Sequence, residues 1–184
     1  QYETATLDES SMVVVAWNCQ RRPLSDRRVR LAMTHALDRA RVIEDVLMGA
    51  GRRISGPFYS TMWGSDPDIA PWPFDVEKAA LLFDAANARR VGRKRFSFEL
   101  ITLQSHKGPI FDSLLAIWRN SLQALGVDVR VTFLSPSDFV GRMILHDFDA
   151  AYFKWWPDIA DPACIHGHAI REVQPGLPRR PSIP

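Results

Sequence analysis

The chain has 184 residues, 46% hydrophobic and 24% charged, with a formal charge of +2 from 23 basic and 21 acidic side chains. That is enough apolar material for one domain of ordinary size, and ten Phe and six Trp exclude disorder for the body of the chain. The near-balanced charge argues for neither nucleic acid nor an acidic membrane, and the longest apolar run, Met12 to Trp17, is too short to span a bilayer.

Residues 1–11 are polar without period and read as a lead-in. Met12 to Trp17 is short, β-branched and apolar, which predicts a strand buried on both faces. After a break at Asn18 to Pro23, Ser25 or Asp26 is placed to cap a helix whose buried face is Val29, Ala32, Met33, Ala36 and Leu37. A second helical stretch, Val42, Ile43, Val46 and Leu47, stops at Gly49 and Gly51. Residues 51–75 alternate Pro with aromatics and read as a long ordered loop, since proline at this density forbids helix and central strand.

Asp75 caps the next predicted helix, with Val76, Ala79, Ala80, Leu82, Phe83 and Ala86 inward, followed by a basic stretch from Arg89 to Arg95. Phe96, Phe98, Leu100 and Thr102 alternate as a strand that ends near Gln104. A turn to Pro109 leads into the strongest amphipathic helix, Ile110 to Leu125, which Gly126 ends. Val127 to Phe133 is a second alternating strand, Ser135 or Ser137 opens a short helix with Phe139, Val140 and Met143, and Phe148 to Phe153 is a third strand running into Trp155 and Trp156. This alternation predicts an α/β fold, a mixed and mostly parallel sheet with helices packed on it, over residues 12–165. Residues 166–184 read as an irregular Pro/Arg-rich tail.

Several of these segments resemble, in order, the signatures of the family 5 extracellular solute-binding proteins, the peptide, dipeptide and nickel receptors of bacterial ABC importers. Trp17-Asn18, Pro23 to Asp26, Val29-Arg30, Ala32 and Ala36-Leu37-Asp38-Arg39 are similar to the family's opening motif. Gly56-Pro57, Asp75 to Ala79 with Leu81-Leu82, Leu125-Gly126-Val127 with Val129, and Phe148-Asp149-Ala150 resemble four further ones. Trp155-Trp156-Pro157-Asp158, followed by Asp161-Pro162, resembles the last, with Lys154 where the family usually has Gly. The resemblance implies one lobe of a two-lobed clamshell of the type II periplasmic-binding-protein kind, with a second lobe outside this sequence. It implies a peptide or other small-molecule ligand, a membrane permease as partner, no catalysis and no resident cofactor. The expected location is periplasmic or extracytoplasmic, at the membrane through the transporter. No basic-then-apolar leader opens the chain, so any export signal is expected outside this sequence.

The same resemblance names the ligand-binding candidates. Asp158 follows a strand and two Trp, at the mouth where open α/β sheets bind ligands, and the family's peptide branch uses the Asp of this motif for an α-ammonium. Trp155 and Trp156 are placed to wall the pocket, one toward the cleft and the other toward the core. His106 and Lys107 lie in the turn where some members put a cation for a peptide carboxylate, ahead of a helix whose dipole favours an anion.

Other chemistry finds less support. Cys164, His166 and His168 offer metal-ligand types but no fourth partner, so no metal is expected. Cys19 and Cys164 stand either as one long-range disulfide or as two buried free thiols. Arg89 to Arg95 lacks interleaved aromatics and reads as a solvated helix end and loop, so no nucleic-acid partner is expected. Lipase-type, zinc-protease and phosphate-loop motifs are absent, which leaves a small α/β hydrolase or transferase with a dispersed active site as the alternative.

Overall fold

The computed structural model describes residues 11–56, 66, 68–88 and 91–156. The chain divides into two compact units. The larger comprises Val13–Arg53 and Pro71–Lys154; the other gathers Gln1–Met12, Ile54–Ala70 and Trp155–Pro184 and lies mostly outside the described residues. The expected lead-in and tail fall largely or wholly outside them too.

Four strands form one sheet: β1 (Met12–Trp17), β2 (Phe96–Leu103), β3 (Val127–Leu134) and β4 (Ala150–Trp155), in the order β1-β4-β2-β3. β2 runs parallel to both neighbours, with Phe96 opposite Val127 and Leu100 opposite Val131 on one side and Ala150 on the other. Parallel pairing requires crossovers, and the helices supply them. α1 (Arg27–His35) and α3 (Val76–Ala85) pack on each other, while α4 (Pro109–Ala124) packs on β3 and α5 (Pro136–Ile144) on β2 and β3.

Alternation along the strands divides the core in two. Phe98, Leu100, Val127, Val129, Ala150 and Tyr152 join the buried faces of α1, α3 and α4 in the larger cluster. Ile101 and Ala151, one residue out of phase, meet Phe139 and Phe148 on the opposite face. β1 departs from the expectation of a strand buried on both faces: it is the sheet edge, Val13 is exposed, and Val14 to Trp17 are only half-buried. A β-branched run predicts a strand; its place in the sheet decides the burial.

Helix boundaries follow the capping chemistry. Asp26 accepts from Arg28 N, Asp75 from Lys78 N and Ser135 from Asp138 N, each satisfying an N–H that the first turn leaves open. The stretch predicted around Val42 to Leu47 is one short α-turn, α2 (Arg39–Arg41), continued by a π-helical turn (Val42–Val46), and buries only Val42. Gly126, at φ +79°, reverses the chain between α4 and β3 in a backbone conformation that glycine adopts without strain.

Polar ties fix the connections. His35 is fully buried; its Nδ1–H donates to Pro73 O at 2.8 Å and its own carbonyl accepts from Asp75 N at 3.0 Å, which straps the approach to α3 onto the end of α1. Arg95 corrects the reading of its basic stretch as solvated. Its side chain is 4% exposed, its Nε donates to Leu125 O and its Nη1 to Ala88 O, and it pairs with Asp84. Arg89 and Arg90 lie outside the described residues. Cys19 is a free thiol and exposed, not buried as the free-thiol reading had it; Cys164 lies outside the described residues.

Midway along β2, Glu99 accepts from Arg142 Nη2 at 2.6 Å and from Thr132 Oγ1 at 2.7 Å. The Arg142 hydrogen bond holds the Glu99 carboxyl below the usual carboxylate range, with Thr132 assisting against the opposing effect of burial. A folded pKa below the unfolded one stabilises fully above the unfolded value, and the benefit is lost as pH falls through the folded value. Glu99→Gln is therefore expected to lower stability by about 1–3 kcal/mol near neutrality. It should also flatten the acid side of a plot of unfolding free energy against pH. Parallel acid arms for variant and wild type would refute the pairing.

Candidate functional site

The parallel strands point their C-terminal ends to one side of the sheet, where β2 gives way to a 3₁₀ turn (Gln104–His106) and then Lys107, ahead of α4. Thr102, the last buried residue of β2, organises this corner. Its hydroxyl donates to Tyr152 O on β4 at 3.0 Å, because a carbonyl only accepts. A hydroxyl has one proton, so the 2.8 Å contact with His106 Nδ1 has the imidazole N–H donating to Thr102 Oγ1. His106 is thereby fixed as the Nδ1–H tautomer, and Nε2 is left as the acceptor, without a partner among the described residues.

Burial pushes the His106 pKa down, which favours the neutral ring. Of the two turn residues, Lys107 is the exposed cation, with Nζ 5.9 Å from the centre of the Phe133 ring. His106 meets Tyr152 edge-on at 5.4 Å, and Phe111, from the first turn of α4, contacts both Tyr152 at 4.9 Å and Phe133 at 5.6 Å. Burial raises the Tyr152 pKa, which keeps its hydroxyl protonated as a donor. The first turn of α4 already carries Asp112, which partly answers the helix dipole expected to favour an anion there.

Reading the sequence missed Phe111, Phe133 and Tyr152 as members of this group. Each sits at an ordinary core position in its own element, and only the parallel register, which sets Thr102 opposite Tyr152, gathers them. The Thr102–His106 contact superficially resembles a nucleophile–base pair. Thr102 is fully buried and its proton is committed to a main-chain carbonyl, so it has neither the access nor the hydrogen-bond arrangement of an activated nucleophile.

Of the remaining candidates, Trp155 closes β4 and is half-buried, and Trp156 follows it 54% exposed; both belong to the smaller unit. The alternation expected to send one of them into the core leaves neither fully buried. Asp158 lies outside the described residues, as do Cys164, His166 and His168. Among the described residues no group of three or more His, Cys, Asp or Glu is arranged to hold a metal ion, and no helix is long and apolar enough to cross a membrane.

The fold and this corner define a class: an open α/β domain whose polar and aromatic side chains collect around the C-terminal end of β2, the side of such sheets that receives ligands. Residues 2–164 match the model of the bacterial extracellular solute-binding proteins, family 5 middle region, and the chain belongs to that family. It is 26% identical over 161 residues to the probable D,D-dipeptide-binding periplasmic protein DdpA of Escherichia coli, covering 88% of this chain and 30% of that one. It is also 26% identical over 154 residues to heme-binding protein A of Haemophilus influenzae, covering 83% of this chain and 27% of the other. In three dimensions it resembles the ABC transporter-associated periplasmic binding protein DppA from Helicobacter pylori in complex with the peptide STSA. The TM-score is 0.74 and the identity 25%, over 85% of this chain and 29% of that one. The fold is that of the type II periplasmic binding proteins, and the chain spans about 30% of the length of the relatives it matches.

Proposed function

We propose that this chain forms part of the solute-binding component of a bacterial ABC importer, supplying one wall of a cleft that captures a peptide or similar small solute outside the cytoplasmic membrane and delivers it to the permease. The observation that carries the reading is the Lys107–His106 turn, gathered with Tyr152 and Phe133 around the C-terminal end of β2, in a chain that matches the family over residues 2–164.

The chemistry is recognition without bond making. In this reading the Lys107 ammonium meets a carboxylate of the solute, neutral His106 accepts a hydrogen bond at Nε2, and the aromatic edges exclude water from both contacts. The family motif also offers Trp155 and Trp156 as ligand contacts and Asp158 as a partner for an ammonium. Closure of a second lobe completes the cleft, and binding shifts the equilibrium toward the closed state by as much as the solute prefers it.

In a two-lobed receptor carrying this sequence, Lys107→Glu is expected to weaken a peptide with a free terminal carboxylate about tenfold or more. The C-terminally amidated peptide should be nearly unaffected, as read by calorimetry. Asp158→Ala should discriminate in the same way between a free and an acetylated amino terminus. Equal losses for both members of a pair would remove that residue from the binding role. The 184-residue chain by itself should show no micromolar peptide affinity, and finding one would contradict the two-walled cleft.

A further inference from the structure

A second concentration of charge lies in the larger unit, and the proposed cleft does not use it. Arg39, at the start of α2, and Arg53, beyond the turn at Gly49 to Gly51, line one small cavity together with Leu37, Asp38, Trp72 and Phe74. The cavity volume is about 20 Å³, room for a water molecule or one small polar group at its mouth. Arg39 is half-buried. Its Nη2 donates to Trp72 O, and its Nε is buried with no hydrogen-bond partner among the described residues. Arg53 makes no hydrogen bond or ion pair among the described residues.

Asp38, the carboxylate in the lining, is engaged elsewhere. Its Oδ1 accepts from Arg41 N at 3.0 Å as the cap of α2, and it pairs with neither guanidinium. Other arginines of the same unit have carboxylate partners: Arg28 with Asp26 at 2.7 Å, Arg41 with Asp45 at 3.0 Å, Arg142 with Glu99 at 2.6 Å. Burial, and then the positive charge of Arg53, both push the Arg39 pKa down, the reverse of what a counter-ion would do. Two guanidinium groups therefore share a cavity with no paired anion among the described residues, and the buried Nε of Arg39 is costly to leave without an occupant.

We propose that Arg39 and Arg53 form a binding site for one small oxyanion, a carboxylate or a phosphate group, between the end of α1 and the Trp72–Phe74 segment. The guanidinium fork matches such a group in shape and charge. The half-exposed rings of Trp72 and Phe74 offer an apolar wall for whatever body the anion carries. Because Arg39 already donates to Trp72 O, an anion held by it braces this segment against α1, so occupancy stabilises the fold.

The test titrates inorganic phosphate, and separately acetate, into the 184-residue chain at ionic strength held constant with chloride. It follows the arginine Nε–Hε signals by NMR and the unfolding midpoint. A saturable displacement of the Arg39 signal with a rise in midpoint is expected. Tighter phosphate binding identifies a phosphoryl ligand, and tighter acetate binding a carboxylate. Arg53→Gln, at an exposed position without hydrogen bonds among the described residues, should weaken the bound anion about tenfold while leaving the unliganded midpoint in place. Shifts that never saturate for either anion, or equal affinity in wild type and Arg53→Gln, would overturn the assignment.

Discussion

Phe98→Ala is expected to destabilise the domain by about 3–5 kcal/mol, a large share of the stability of a chain this size. Phe98 is 1% exposed on the central strand β2, and its ring touches Trp17 at 5.7 Å and Trp118 at 6.0 Å. Trp17 and Trp118 meet each other at 6.1 Å, so three rings from an edge strand, a central strand and a helix close one cluster. Deleting the middle ring removes its apolar contact and leaves a cavity that two rigid indoles cannot fill. Phe98→Leu keeps most of the volume and should cost clearly less. Urea unfolding of both variants checks the ranking, and a loss below about 1 kcal/mol for Phe98→Ala would mean that this cluster is not the centre of the core.

The second large effect concerns Asn18, which is 4% exposed at the end of β1. Its Nδ2 donates to His146 O at 2.8 Å and to Phe148 O at 2.9 Å, and its Oδ1 accepts from Gln20 N at 3.0 Å. One amide thus joins the edge strand to the turn that launches β4. Asn18→Asp replaces the double donor with a carboxylate oxygen facing two carbonyl oxygens, and should cost about 3–5 kcal/mol at neutral pH. Protonation restores one donor, so the penalty should shrink as pH falls; the buried, unpaired acid has its folded pKa raised, which favours the folded state at low pH. Asn18→Ala, which strands two acceptors without adding charge, should fall below it and show no such recovery. Unfolding free energies at neutral and mildly acidic pH distinguish these outcomes, and an Asn18→Asp protein as stable as wild type would show the amide to be dispensable.

Local chemistry in the chain was enough for most of the architecture. Phe96 to Thr102 and Val127 to Phe133 alternate as half-buried strands must, and both are strands. Asp75 is a cap followed by an apolar face at helical spacing, and the helix begins at Val76. Ile110 to Leu125 carries the clearest stripe, and α4 occupies Pro109–Ala124. These signals are legible because period and capping are properties of one segment. The family resemblance, from Trp17-Asn18 to the Trp155-Trp156 motif, is borne out by the match over residues 2–164.

What depends on partners far along the chain was not legible. His35 reads as one polar residue at the end of an apolar helix face, and only the return of Pro73 makes its burial tolerable. Arg95 looks like part of a solvated basic run until Ala88 and Leu125 present their carbonyls to it. Val13 belongs to a strand that its composition places inside and its position in the sheet leaves at the edge. The candidate site divides in the same way: His106 and Lys107 are named by a local turn, whereas Tyr152, Phe111 and Phe133 join them only through parallel pairing of β2 with β3 and β4. Residue order alone determined the elements and the family, because propensity, period and capping act within a few residues. The three-dimensional packing decided which side of each element meets solvent, which buried charges find carbonyls, and which proton His106 carries, because those depend on groups brought together from tens of residues away.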